Sequence, residues 1–258
     1  MMKLALEAAK AGGALLRNKF GGRLEILHKG EVDLVTDADR AAEAAIVAVL
    51  RGRYPEHAIL AEEADYGDAG KSDWRWIIDP LDGTTNFAHG FPWFAVSLAL
   101  EKAGQVILGL VYNPIFEELF VARLGAGATL NGRPLKVSAT RDLDQALLAT
   151  GFPYDRKQSP VNNYDHFIHF QQVAQACRRP GAASLDLACT AAGRFDGYWE
   201  MKLKPWDMAA GLLLVSEAGG MVSDFSGRRF DLDGAECLAS NGHLHGAMIS
   251  VLQQGRRP

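Results

Sequence analysis

Residues 2–19 carry Leu4, Ala8, Ala11 and Leu15 at helical spacing, with Gly21-Gly22 behind them, and this pattern predicts an amphipathic helix. Thr36-Asp37-Ala38-Asp39 has the form of a capping box, so a second helix is expected through Ala41–Leu50 to Tyr54-Pro55. Two short apolar runs follow, Ala58–Ala61 and Trp74–Ile78. Each reads as a strand, and each runs into acidic residues. From Phe94 to Val121 the alternation predicts a hairpin turning at Lys102–Gln105, with the Glu118–Ala122 run as a further strand. Asn131-Gly132 marks another tight turn. Beyond it, strands are expected at Gln145–Thr150, Gly197–Glu200, Met221–Asp224 and Cys237–Ser240. Helices are expected at Tyr164–Ala176, Leu185–Ala192 closed by Gly193, Trp206–Ala218 closed by Gly219-Gly220, and His245–Gln253. There is no internal repeat and no low-complexity linker. Helices and strands come in blocks, which favours a layered α+β architecture over a Rossmann or barrel fold.

Composition narrows the class only a little. A chain of 258 residues with 48% hydrophobic and 22% charged residues is ordinary for a globular protein with a sizeable core. The net charge of −4 offers no basic surplus for nucleic acid. The local basic pairs Arg178-Arg179 and Arg256-Arg257 read as solvated surface or helix ends. Cys177, Cys189 and Cys237 are odd in number, widely spaced and in apolar contexts, as expected of buried reduced thiols in a cytoplasmic protein. Glu7 and Lys10 interrupt the N-terminal apolar stretch, so it does not read as a signal peptide. No window approaches a membrane span.

The chemistry lies in carboxylates at the ends of apolar runs. Trp76-Ile77-Ile78 leads straight into Asp79-Pro80-Leu81-Asp82-Gly83-Thr84-Thr85-Asn86. Two aspartates at the end of a buried strand need a compensating partner, because unpaired buried charge is costly, and a bound cation is one such partner. Pro80 is expected to break the strand and turn Asp79 and Asp82 toward a common point, while Gly83 permits close backbone approach. A helix starting near Thr84 would add an anion site. Glu62-Glu63 after Ala58–Ala61, Asp207 at a helix start, and Asp33 and Asp39 around Thr36 repeat the theme. Each of these alone is more readily a cap or a solvated turn. Together they form a hard-oxygen donor set that suits magnesium or manganese rather than zinc or copper, with more than one ion and in-line displacement at phosphorus.

These motifs resemble the inositol monophosphatase family, which also contains histidinol phosphatases, some fructose-1,6-bisphosphatases and nucleotide 3′-phosphatases. The resemblance runs over nearly the whole chain. It rests on Val32–Thr36 with Asp39, on Glu62-Glu63, on Trp76–Thr84 with Asn86-Phe87, and on Pro205-Trp206-Asp207 leading to Glu217–Gly220. It implies an αβαβα sandwich acting as one catalytic unit over residues 1–258, with halves at 1–140 and 141–258. It further implies two or three Mg2+ ions held by Glu62, Asp79, Asp82, Asp207 and the carbonyl of Leu81. Asp39 and Thr84, with Glu62, would activate the attacking water. The amides of Gly83 and Thr84 would bind phosphate, and Asp82, Ala183, Glu200 and Asp207 would contact the substrate. The expected reaction is hydrolysis of inositol 1-phosphate, with histidinol phosphate or fructose 1,6-bisphosphate as the alternatives, by a lithium-sensitive homodimer with no membrane or nucleic-acid partner. A different class of reading is a non-catalytic protein- or RNA-binding regulator on the same fold. The segment Arg179–Ser184 has Ala182 where relatives often carry Ser or Thr, which removes a hydroxyl from a substrate's reach. Lys29 is given no role. His166, His169, His243 and His245 are expected to pack rather than to bind metal. Trp74, Trp76, Trp93 and Trp199 read as core or interface, and Trp206 as packing beside the metal site.

Overall fold

The computed structural model describes residues 1–22, 26–28, 34–67, 72–234 and 236–254. Asp33, Lys29 and the Arg256-Arg257 pair therefore lie outside the described residues. Helix α1 (Met2–Lys19) precedes two short paired strands, β1 (Ile26–His28) and β2 (Leu34–Thr36), which the sequence pattern does not announce. Helix α2 (Asp37–Arg53) starts on the expected capping box: Thr36 Oγ1 accepts the Ala38 amide at 3.1 Å and Asp39 Oδ2 accepts the Thr36 amide at 2.8 Å.

The next strands are β3 (Ala58–Ala61), β4 (Trp74–Asp82), β5 (Ala95–Lys102), β6 (Gln105–Asn113), β7 (Glu118–Arg123), β8 (Ala128–Leu130) and β9 (Arg133–Pro134). They form a seven-stranded sheet in the order of the chain, with helix α3 (Thr84–Ala88) between β4 and β5. Its tight turns are those the sequence signals. Ala103 and Gly104 (φ 48° and 80°) join β5 to β6, and Asn131 and Gly132 (φ 49° and 78°) join β8 to β9, the left-handed pairs that two-residue hairpins require.

The second sheet contains β10 (Leu147–Thr150), β11 (Ala176–Arg178), β12 (Gly197–Met201), β13 (Met221–Ser223) and β14 (Glu236–Ser240) in the order β11-β10-β12-β14-β13. Its helices are α4 (Tyr164–Val173), α5 (Ala183–Ala191), α6 (Pro205–Glu217) and α7 (His245–Leu252). One expectation is corrected here: the helix predicted over Tyr164–Ala176 ends at Val173. Ala174 turns extended, and Ala176–Arg178 pairs in parallel with β10, which buries Cys177 in the ladder.

Helices α1 and α2 cover one face of the first sheet, and α5 and α6 lie between the two sheets. Helices α4 and α7 close the far side of the second sheet, which gives the αβαβα layering. Three apolar clusters fill the gaps. The first joins Ile46 and Leu50 to Trp76, Ile78 and Leu98. The second joins Leu187, Met208 and Leu214 to Val111 and Tyr198, and the third joins Phe170 to Trp199 and Met248. Each fully buried large side chain contributes roughly 1.5–3 kcal/mol. The three cysteines are buried free thiols, as expected. Among the described residues no helix is long and apolar enough to cross a membrane.

Candidate active site

The carboxylates gather through one irregularity in β4. In a regular strand residues three apart point to opposite faces. Here Asp79 pairs with Ser97 and Asp82 with Ala95, so β4 carries one residue more than β5 across this stretch. That bulge brings both aspartates to the same cavity. Pro80 does not end the strand, as the sequence suggests, because β4 runs on through Asp82. The missing N–H of proline is accommodated at the bulge instead.

Glu62 follows β3, which runs parallel to β4; its amide donates to the Ile78 carbonyl at 3.2 Å, which places it beside Asp79. Asp207 sits in the first turn of α6, where its Oδ2 accepts the Lys204 amide at 2.7 Å. Ser97 on β5 anchors that turn by donating to the Trp206 carbonyl at 3.1 Å. Glu62 after β3, Asp79 and Asp82 on β4, and Asp207 on α6 thus come from three places in the fold and line one cavity of about 270 Å3. Leu81, Gly83, Thr84, Ala183 and Glu200 line it too. Asp39 does not. It is fully buried behind the wall, where its Oδ1 accepts the Thr84 hydroxyl at 2.9 Å and its Oδ2 accepts the Thr36 hydroxyl at 2.6 Å.

Burial raises the carboxyl of Asp79 well above the usual range, and the charges of Glu62, Asp82 and Asp207 push it further. Burial does the same at Asp207, and at Asp39 and Asp82 to a lesser degree. Such a cluster is costly unless positive charge offsets it. A hard divalent cation fits the donors: four carboxylates and a backbone carbonyl, with no His or Cys on the cavity wall. Among the described residues no three of these side chains yet converge on one chelating point. Asp79 Oδ1 is held by the Leu81 amide at 3.0 Å, and the Lys204 amide holds Asp207.

Beside them the cavity is lined by the Gly83–Thr84 turn. Gly83 (φ 92°) caps α3, and a Cβ there would stand 2.9 Å from the Trp93 carbonyl, so only glycine fits. Asn86 ties this turn to the far wall by donating to the carbonyls of Trp93 at 2.7 Å and Pro180 at 2.9 Å.

Glu200, at the end of β12, is raised to about 7 by burial, against the pull of a hydrogen bond from the Tyr198 hydroxyl and the charge of Arg179. It packs so tightly on Gly151 that a Cβ there would meet its carboxylate at 2.1 Å. Ala183 lines the cavity, and its amide donates to Asp82 Oδ1 at 3.2 Å.

Sequence reasoning missed several residues. Arg179, read as solvated, lines the cavity with Lys202 and Lys204. Asp186 is buried and accepts the Trp93 indole N–H at 3.0 Å. Ser184 hydrogen-bonds Asp82. Only Tyr198 left a signal, sharing a strand face with Glu200 two positions on. His245 is buried between the hydroxyls of Ser223 and Ser240, at 2.8 and 2.9 Å. Trp206 lines the cavity beside Asp207, Trp76 and Trp199 are core, and Trp74 and Trp93 are half-buried.

Comparison with known proteins agrees with this geometry. The family model described as "Inositol monophosphatase family" matches residues 1–257. The chain is 47% identical over 254 residues to inositol-1-monophosphatase of Synechocystis, covering 97% of this chain and 88% of that one. It is 46% identical to Nus factor SuhB of Pseudomonas aeruginosa, covering 98% and 96%. The solved structure of inositol monophosphatase from Anabaena superposes with a TM-score of 0.89 at 42% identity, over 98% of this chain and 94% of that one. On the match to its family model, on these relatives and on the fold, the chain belongs to the inositol monophosphatase family.

Proposed function

We propose that the protein is a magnesium-dependent hydrolase of phosphate monoesters of small polyols, inositol 1-phosphate foremost. The observation that carries this reading is the set of four carboxylates, two on β4 and one each from the end of β3 and the start of α6, lining one cavity beside the Gly83–Thr84 turn. Glu62, Asp79, Asp82, Asp207 and the Leu81 carbonyl are the residues that would hold the ions. When bound, those ions supply charge neutralisation and lower the pKa of water. Manganese would satisfy the same donors.

The chain's own groups account for the rest. Thr84 Oγ1 is hydrogen-bonded to both Asp39 Oδ1 and the Leu81 carbonyl, at 2.9 and 3.0 Å. Asp39, raised by burial, is a competent proton acceptor behind it. A water attacking phosphorus passes its proton to Thr84 as Thr84 passes its own to Asp39. The ester P–O bond breaks opposite the incoming oxygen, and the leaving alkoxide takes a proton from solvent. The amides of Gly83 and Thr84 donate to phosphoryl oxygens. Glu200, steadied by Tyr198, accepts substrate hydroxyls, and Arg179 and Lys204 face the same space. Histidinol phosphate and fructose 1,6-bisphosphate remain the alternative substrates; homodimer assembly, lithium sensitivity and a cytoplasmic location are carried over from the family resemblance.

The test is phosphate release from inositol 1-phosphate, histidinol phosphate, fructose 1,6-bisphosphate and adenosine 3′,5′-bisphosphate, with and without Mg2+. Magnesium-dependent turnover with a strong preference for inositol 1-phosphate is expected, and Asp79→Asn should lower it by at least about 100-fold. Folded protein that releases phosphate from none of them contradicts the reading. A binding role beside turnover is a second reading, supported by the 46% identity to a relative named Nus factor SuhB. Asp79→Asn separates the two, because it removes turnover and leaves the surface unchanged.

A further inference from the structure

The segment Arg179–Ser184 has no hydroxyl at Ala182, which faces the cavity, and carries one at Ser184, which does not line it. Ser184 is fully buried in the first turn of α5. Its hydroxyl donates to Asp82 Oδ2 at 2.6 Å, and its amide donates to the same oxygen at 2.7 Å. The Ala183 amide donates to Oδ1 at 3.2 Å. A carboxylate oxygen offers about two lone-pair sites. Oδ2 is therefore filled from the protein side by Ser184 alone, and the Leu185 amide also reaches this carboxylate. A serine at this position in a helix has no carbonyl one turn back inside its own helix to bond, so its hydroxyl is available to a neighbour. That neighbour lies 102 positions earlier in the chain, at the end of β4.

We infer that Ser184 is a positioning residue for Asp82, fixing the rotation of its carboxylate and thereby setting the cation affinity of the site rather than contacting the substrate. The inference rests on the cation-dependent reading given above. Removing the hydroxyl takes one of the two donors from Oδ2 and loosens a carboxylate that the amides of Ala183, Ser184 and Leu185 still hold. Groups that orient a metal ligand in this way change cation affinity by about 10–100-fold.

The experiment compares the parent chain with Ser184→Ala and Ser184→Thr, each first stripped of metal and shown by near-ultraviolet circular dichroism and melting to be folded. Mn2+ binding is measured without substrate, by the loss of the free-ion electron paramagnetic resonance signal, and Mg2+ by competition. Ser184→Ala is expected to bind Mn2+ about tenfold more weakly, at the lower end of that range. The half-saturating Mg2+ for phosphate release should move by the same factor, while KM for substrate at saturating Mg2+ stays put. Ser184→Thr, which keeps the hydroxyl, is expected to restore the affinity. Equal Mn2+ affinity in parent and Ser184→Ala overturns the inference while leaving the phosphatase reading intact. A raised substrate KM with unchanged Mn2+ affinity overturns it as well, by assigning the hydroxyl to the substrate. Weak binding that Ser184→Thr does not restore assigns the effect to packing and also overturns it. A parent chain that takes up no Mn2+ removes the cation reading itself.

Discussion

A carboxyl that keeps its proton to near neutrality marks the cavity's far wall. Glu200 titrates at about 7 in the folded chain against an ordinary 4.5, because burial disfavours its charge. Between those values the native state binds a proton that the unfolded chain has released. Stability from this group is complete below pH 4.5 and is lost as pH rises through about 7. In metal-free protein, the parent should therefore lose more melting temperature between pH 5 and pH 8 than Glu200→Gln does. Identical pH profiles for the two would contradict the assignment. The charge of Glu200 also raises Asp207 and Asp186, so the difference reads Glu200 together with its effect on those two neighbours. Glu62, Asp79 and Asp82 were legible because they end apolar runs, where charge without a purpose is too costly to keep, and Asp39 and Asp207 because they open helices. Ser184, Arg179 and Asp186 were not. Their partners stand 102 positions away at Asp82, across the cavity at Glu200, and 93 positions away at Trp93, and no local spacing encodes such pairings.

Among the elements, α6 does most to set the site. It crosses between the two sheets and lies so close to β6 that a Cβ at Gly109 would stand 2.7 Å from the Ala210 carbonyl. Gly109→Ala should push α6 off the sheet and shift Asp207 at its first turn. The expected cost is about 1–3 kcal/mol of stability, typical of overpacking, together with loss of magnesium-dependent activity. Denaturant melts and phosphate release check both, and a variant as stable and active as the parent would show that α6 does not need that approach. Most elements followed from periodicity, because amphipathic stripes and hairpin turns are local. The departures come from tertiary pairing: Ala176–Arg178 joins a parallel ladder that no neighbouring residue announces, and Pro80 is absorbed by a bulge whose partner strand begins at Ala95.

Across the whole molecule, carboxylates from both halves of the chain face one another over the middle helix layer, and their repulsion weakens the fold until positive charge enters. Magnesium should therefore raise the melting temperature, by the equivalent of about 2.7 kcal/mol at 100-fold excess over its Kd. Asp79→Asn should melt higher than the parent in the absence of metal and gain less from magnesium; a parent unmoved by magnesium would contradict this. The layering also has a consequence for how the protein is made. The first sheet is complete at Pro134, yet the helix that covers its inner face ends only at Glu217. At about 5–20 residues per second, a ribosome needs roughly 4 to 17 s to deliver that cover. During that interval the nascent chain presents a finished apolar surface with nothing to rest on, so the order of synthesis, as much as the final contacts, sets its exposure to aggregation.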